Sequence, residues 1–287
     1  MRPAGLKTKI FLDGGDPVET KRIIELLGFL DGQTTNPTLI AKNPQAKARL
    51  EHGEKFSPTE IYDFYKHVVS AISTLIPDGS VSVEVYADQT TSAEAMLVQG
   101  KEMYTWIPNA HIKYPTISAG LRAAQQSVEA GLRVNMTLCF SQEQAAAVYA
   151  ATSGAQPGEV FVSPFIGRLD DIGEYGMALI ANILRMYRSG DGHTQVLAAS
   201  IRNMNHFKQS LALGADIITA PFSILEEWAQ AGMPLPEAGF SYEHANLKEI
   251  PYQEISLERP WATYDIKHPL TDKGIDRFSA DWNELIG

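Results

Sequence analysis

A lysine inside an apolar run raises a chemical question at once, because burying an unpaired ammonium is expensive. Lys113 lies in the run His111-Ile112-Lys113-Tyr114. In a dry setting a lysine sheds its proton more readily than in water, giving a neutral amine that can attack a ketone. The resulting iminium is an electron sink that stabilises the carbanion or enamine left when a neighbouring C–C bond breaks. Such chemistry needs a proton carrier, and Glu84 and Asp13 are the candidates. It also needs amide and hydroxyl partners for a hydroxylated substrate, which Asn36, Asn135, Thr137 and Ser163 could supply. Arg168, with Ser200 and Arg202, is a candidate phosphate clamp, since the planar guanidinium fork matches phosphate oxygens.

These residues recur at one place in a repeated pattern of short apolar strands and helix-like stretches. Strands are expected at Lys7 to Leu12, near Gln33-Thr34, at Val81 to Tyr86, His111 to Tyr114, Arg133 to Leu138, Glu159 to Val162, Gln195 to Ala199 and Asp216 to Thr219. Helical spacing follows each one, over Pro17 to Phe29, Pro37 to Leu50 with Ser57 to Ile76, Ser92 to Met103, Ser118 to Ala130, Gln142 to Ala151, Asp171 to Arg188, Asn205 to Leu213 and Ser223 to Ala231. Eight βα units with short connections predict an α/β fold, a closed parallel (β/α)₈ TIM barrel. The competing open doubly wound sheet usually carries a Gly-rich first turn, and no G-x-G-x-x-G is present. Asp13, Asn36, Glu84, Lys113, Asn135, Thr137, Ser163 and Ser200 fall in or just after the strands, with Arg168 and Arg202 a few residues on. In such barrels the C-terminal strand ends carry the chemistry. Alternation puts Val81, Val83 and Val85 on the helix-facing side, with Ser82, Glu84 and Tyr86 on the other; likewise Asn135 and Thr137 oppose Val134, Met136 and Leu138. A carboxylate, a lysine and an asparagine would then converge in one interior.

The chain reads as one barrel domain over 1–287, with 234–287 a C-terminal extension. That extension is rich in Pro, Glu and Tyr, is expected to pack over the barrel, and ends in a helix from about Thr271 to Ile286 capped within Pro269-Leu270-Thr271-Asp272. With 44% hydrophobic and 20% charged residues, disorder is excluded as a global state. A net charge of −10 argues against general nucleic-acid or anionic-membrane partners, while leaving room for local arginines to bind a small anion. The single Cys139 precludes an internal disulfide framework and reads as a small buried apolar residue. The stretch Met1 to Lys7 lacks the apolar core of a signal peptide, so the expected location is the cytoplasm. The seven histidines show no metal-ligand spacing, so none is assigned as a metal ligand. Asp16, just before Pro17, reads first as a helix N-cap.

At these same positions the sequence resembles the transaldolase family. The resemblance is carried by Thr34-Thr35-Asn36-Pro37-Thr38-Leu39-Ile40, Asn135-Met136-Thr137-Leu138-Cys139-Phe140-Ser141, Ser163-Pro164-Phe165-Ile166-Gly167-Arg168 and Ala199-Ser200-Ile201-Arg202-Asn203, in order and at barrel-compatible spacing. It implies that Lys113 is the Schiff-base lysine, Glu84 an acid and base working through a water held by Thr137, and Asp13 the group that deprotonates the hydroxyl beside the cleaved bond. It implies further that Asn36 and Asn135 orient a three-carbon ketone unit beside Ser163, and that Arg168, Ser200 and Arg202 bind phosphate. The lysine segment departs from the family pattern at Ile117 and Ser118-Ala119. Phe165 resembles the transferase branch; the aldolase branch tends to carry tyrosine there. The activity that the resemblance implies is transfer of a dihydroxyacetone unit between sugar phosphates in the pentose phosphate pathway, with neither metal nor organic cofactor, and the resemblance also suggests a homodimer. A lyase of the fructose-6-phosphate aldolase kind and a non-catalytic sugar-phosphate-binding barrel are the other readings.

Overall fold

The computed structural model describes residues 1–237 and 239–287. Eight parallel strands run β1 (Lys9–Asp13), β2 (Gly32–Thr34), β3 (Ser80–Glu84), β4 (Ala110–Pro115), β5 (Val134–Cys139), β6 (Val160–Pro164), β7 (Thr194–Ala198) and β8 (Ile217–Ala220), and β8 pairs back onto β1 to close the barrel. Helices follow in the expected alternation: α1 (Pro17–Leu27), α2 (Pro37–Ala41), α3 (Pro44–Glu51), α4 (Pro58–Leu75), α5 (Ala93–Tyr104), α6 (Ser118–Glu129), α7 (Gln142–Ala151), α8 (Ile166–Asp170), α9 (Gly176–Tyr187), α10 (Met204–Leu213), α11 (Phe222–Gln230) and α12 (Pro269–Glu284). The local chemistry of the helix ends accounts for several boundaries. Asp16 caps α1 by accepting from the Val18 amide, and Gly28 ends it in the left-handed conformation. Ser57 and Glu60 form a capping box ahead of α4, with Pro58 at its first position.

Three boundaries differ from the sequence expectation. Pro44 stops the ladder of backbone hydrogen bonds, so the stretch from Pro37 to Leu50 is two helices, with Asn43 capping the second. The helix expected from Asp171 begins as the separate α8 at Ile166, and α9 starts only at Gly176. The last helix starts at Pro269; its cap is His268, whose Nδ1 accepts from the Leu270 amide.

Inside the cylinder the layers change character along the strands. Near the N-terminal end Phe11 and Phe161 meet edge to face at 6.0 Å, and the His111 ring stacks on Phe161 at 4.1 Å. Those rings plug the floor. Polar side chains collect at the opposite end, where Glu84, Lys113, Asn135, Thr137 and Ser163 are all buried. The segment after α11 wraps the outside and delivers α12 across the mouth. Gln144 of α7 ties it there, its Nε2 donating to the Ile266 carbonyl and to Thr271 Oγ1 and sharing a proton with the Thr116 carbonyl, while its Oε1 accepts from the Phe140 amide. Thr271 in turn donates to the Leu138 carbonyl. Among the described residues no helix is long and apolar enough to cross a membrane.

Candidate active site

β3 and β4 are paired with Glu84 opposite Lys113, so adjacent strand ends present a carboxylate and an amine side by side. Lys113 Nζ lies 2.9 Å from Glu84 Oε2, and the two side chains are only 3% and 4% exposed. The contact is a close ion pair without good hydrogen-bond direction at Oε2. The directed bond from Nζ goes to the Thr35 carbonyl, also at 2.9 Å. Burial pushes the Glu84 carboxyl above its usual range; Lys113 is the strongest opposing influence, and the Asp13 charge adds to the rise. Asp13, at the end of β1, is likewise raised by burial, against the pull of Lys113 and a 2.7 Å hydrogen bond from Thr34 Oγ1. Two carboxylates and one lysine therefore share a dry space, in which a proton held by the carboxyls is favoured over a second negative charge.

Above them opens a cavity of about 350 Å³. Lys113, Asp13, Asn36, Ser163, Phe165, Arg168, Ser200 and Arg202 line it, which brings eight of the eleven expected site residues onto one surface. The remaining three, Glu84, Asn135 and Thr137, are buried but do not reach its wall. Asn135 has both ends of its amide occupied, donating to Ser82 Oγ at 3.0 Å and accepting from Ser163 Oγ at 2.7 Å. The Thr137 hydroxyl has no hydrogen-bond partner among the described residues, so its donor and acceptor are both available. Asn36 caps α2 by accepting from the Leu39 amide, which fixes its side chain at the rim. Two points of strand parity fail. Tyr86 lies beyond the end of β3, its hydroxyl meeting Asp88 and Asn283. A register shift between Met136 and Cys139, with Leu138 at φ 59°, turns Leu138 from the helices toward α12.

The cavity is also lined by cationic side chains, Arg168, Arg202 and Arg277. The Arg168 guanidinium sits 5.2 Å from the ring centre of Phe165 and 5.3 Å from that of Phe278, within cation–π range of both. Burial, then the charges of Arg277 and Arg202, push Arg168 down from its ordinary value, against the opposing charges of Glu84 and Asp171. Arg202 reaches Asp171 at 2.9 Å, and its amide donates to His206 Nδ1 at 3.3 Å. His206 Nε2 then faces Asp170 at 2.8 Å, so a buried histidine backs this loop. Ser200 holds a left-handed φ of 60°, a strained conformation for a residue with a side chain and one common at functional sites. Gly167 is what lets the loops close: a Cβ there would stand 2.4 Å from the Ser200 carbonyl oxygen.

Several lining residues escape the sequence reading. Thr34 and Thr219, whose hydroxyls meet at 2.6 Å, face inward on β2 and β8. Strand alternation alone could have marked Thr219. Lys42, Arg277 and Phe278 come from helical segments, and nothing in their local sequence points at the barrel mouth.

Fold and site together define a closed (β/α)₈ barrel carrying a buried lysine–carboxylate pair at the C-terminal mouth of its strands. Residues 10–287 match the transaldolase/fructose-6-phosphate aldolase family, and the chain belongs to this family of enzymes. A probable transaldolase of Dehalococcoides mccartyi is 36% identical over 277 residues, covering 96% of this chain and 99% of its own length. A probable transaldolase of Anaeromyxobacter dehalogenans is 35% identical over 277 residues, covering 96% and 97%, and one of Brucella ovis is 36% identical over 274 residues, covering 96% of each.

Proposed function

We propose that the chain is a transaldolase that moves a dihydroxyacetone unit from a ketose phosphate to an aldose phosphate through a Schiff base on Lys113. The donor would be fructose 6-phosphate or sedoheptulose 7-phosphate, as in the pentose phosphate pathway. The observation that carries this reading is the buried amine of Lys113, on the cavity wall and 2.9 Å from Glu84 Oε2. A mere sugar-phosphate binder has no use for such a group, because burying the pair is costly.

The steps follow from the placement. Glu84, already inclined to hold a proton, takes one from the Lys113 ammonium, and the free amine attacks the substrate ketone carbon. Glu84 returns the proton to the hydroxyl of the carbinolamine, which leaves as water and gives the iminium. The free Thr137 hydroxyl is suited to hold that water. Asp13 accepts the proton of the hydroxyl next to the scissile bond; the C–C bond breaks toward the iminium, leaving an enamine and releasing an aldose phosphate. The enamine carbon then adds to the carbonyl of a second aldose phosphate, whose new alkoxide takes the proton back from Asp13. Water hydrolyses the iminium and frees Lys113. Arg168, Ser200 and Arg202, joined by Arg277, would hold the phosphate of donor and acceptor alike.

Borohydride reduction in the presence of fructose 6-phosphate, followed by peptide mapping, tests the reading: a stable adduct of the three-carbon unit is expected on Lys113. No adduct would leave a sugar-phosphate binder. Release of free dihydroxyacetone at the same rate with and without erythrose 4-phosphate would make the chain a lyase instead.

A further inference from the structure

The last rungs between β2 and β3 are irregular in a way that bears on the lysine. Thr34 is paired with Ser82, and the Thr35 amide donates to the Ser82 carbonyl at 3.1 Å. In a continuing parallel ladder the next bond would run from the Glu84 amide to the Thr35 carbonyl. It does not form. The Glu84 amide donates instead to the hydroxyl of Tyr65, a fully buried residue of α4, at 2.9 Å. The Thr35 carbonyl, so released, is the acceptor for Lys113 Nζ.

Proton counting fixes the direction of the rest. Thr35 Oγ1 has a single proton and gives it to the Ser82 carbonyl at 2.7 Å. The 2.6 Å contact between Tyr65 and Thr35 Oγ1 must then have Tyr65 as donor. Tyr65 thus accepts from the strand bearing the carboxylate and donates to the residue whose carbonyl holds the amine. Its ring is fixed from the outside, at 5.9 Å edge to face with both Trp106 and Trp282. Burial raises the phenol far above its ordinary value, so it stays a neutral donor throughout the working range.

We infer that Tyr65 is a positioning residue: its hydroxyl replaces a strand rung so that the Thr35 carbonyl can aim Lys113 at Glu84. The inference rests on the Schiff-base reading above. Tyr65→Phe keeps the ring and removes only the link. Tyr62→Phe is the matched control, because the Tyr62 hydroxyl belongs to the same aromatic cluster but bonds Gln99. Thr35→Val removes the hydroxyl that Tyr65 donates to, keeps the carbonyl, and serves if Tyr65→Phe does not fold.

Single-turnover trapping with fructose 6-phosphate and borohydride is the measurement, beside steady-state kinetics of transfer. Tyr65→Phe should slow adduct formation and kcat about tenfold to a hundredfold, the range set by losing the two buried hydrogen bonds of that hydroxyl. KM should stay within about twofold, since the arginine wall is untouched. Thr35→Val should move the same way and Tyr62→Phe should match the unsubstituted protein. Trapping of the unsubstituted protein with undiminished rates in Tyr65→Phe would overturn the inference, as would equal losses in Tyr65→Phe and Tyr62→Phe. Absence of any adduct on the unsubstituted protein would overturn the Schiff-base reading, and the inference with it.

Discussion

Lys113 and Asp13 make separable demands at the level of single residues. Lys113→Met should abolish the trapped adduct while leaving binding of inorganic phosphate within about twofold, because the arginines that line the cavity remain. Asp13 carries a cost of function. Its folded-state carboxyl is raised from an ordinary 3.8, so in the window above that value the folded chain keeps a proton that the unfolded chain releases. Stability from this group is therefore present at low pH and lost as pH climbs through the raised value. Asp13→Asn removes that loss. Denaturant melts should find it more stable than the parent at neutral pH, with the gap closing as pH falls toward 4, while transfer activity disappears; a gap of opposite sign would show that Asp13 is not proton-rich in the fold. At this scale the sequence was informative for a simple reason. A charged or amide side chain at or just after the end of an apolar strand is conspicuous, and five such residues, Asp13, Asn36, Lys113, Arg168 and Arg202, meet at one cavity. Tyr65 was not conspicuous, because a tyrosine on the apolar face of a helix looks like packing until its hydroxyl partners are known.

Elements place those residues, and here local rules reach only part of the way. Alternation of strand and helix identified all eight βα units, because a parallel sheet buried on both faces leaves runs of β-branched residues between amphipathic helices. Parity located Glu84 and Lys113 correctly, yet failed at Leu138, where the register shift adds a turn that no alternation can foresee. The breaks at Pro44 and between α8 and α9 fall where backbone demands override apolar spacing. α12 supplies the sharpest test at this scale. A Cβ on Gly274 would stand 2.6 Å from Leu138 Cδ2 and 2.8 Å from Arg168 Nη1. Both atoms are side-chain ends that must give way, so Gly274→Ala should displace the guanidinium along with Leu138 and raise KM for phosphorylated sugars about tenfold, a loss on the order of one charge-assisted hydrogen bond. Steady-state kinetics on fructose 6-phosphate against free dihydroxyacetone would check this: only the phosphorylated substrate should suffer.

For the whole molecule the question is what keeps the tail in place over the barrel. Gln144 is fully buried and holds four backbone or hydroxyl groups at once, joining strand ends of the barrel to the segment before α12. Gln144→Leu would leave the Phe140 amide and the Ile266 carbonyl without that partner in a dry place, at a cost of about 2 kcal/mol or more. Hydrogen exchange should accelerate in α12 and the segment leading to it, with the barrel strands unchanged; uniform acceleration everywhere would mean the tail is not a separately held part. That tie was illegible in the sequence, since its two sides are 127 positions apart from Gln144 to Thr271 and neither carries a motif. The same distance hides Arg277 and Phe278, which reach the cavity only because α12 lies across it.

That crossing helix touches two functions at once. Near its start it abuts Arg168, on the side proposed to grip the substrate's charge; near its end Trp282 leans on Tyr65, on the side proposed to aim the amine. A protein engineer who grafted the corresponding helix from a relative would therefore retune substrate preference and turnover together. Selecting for one trait alone would drag the other along.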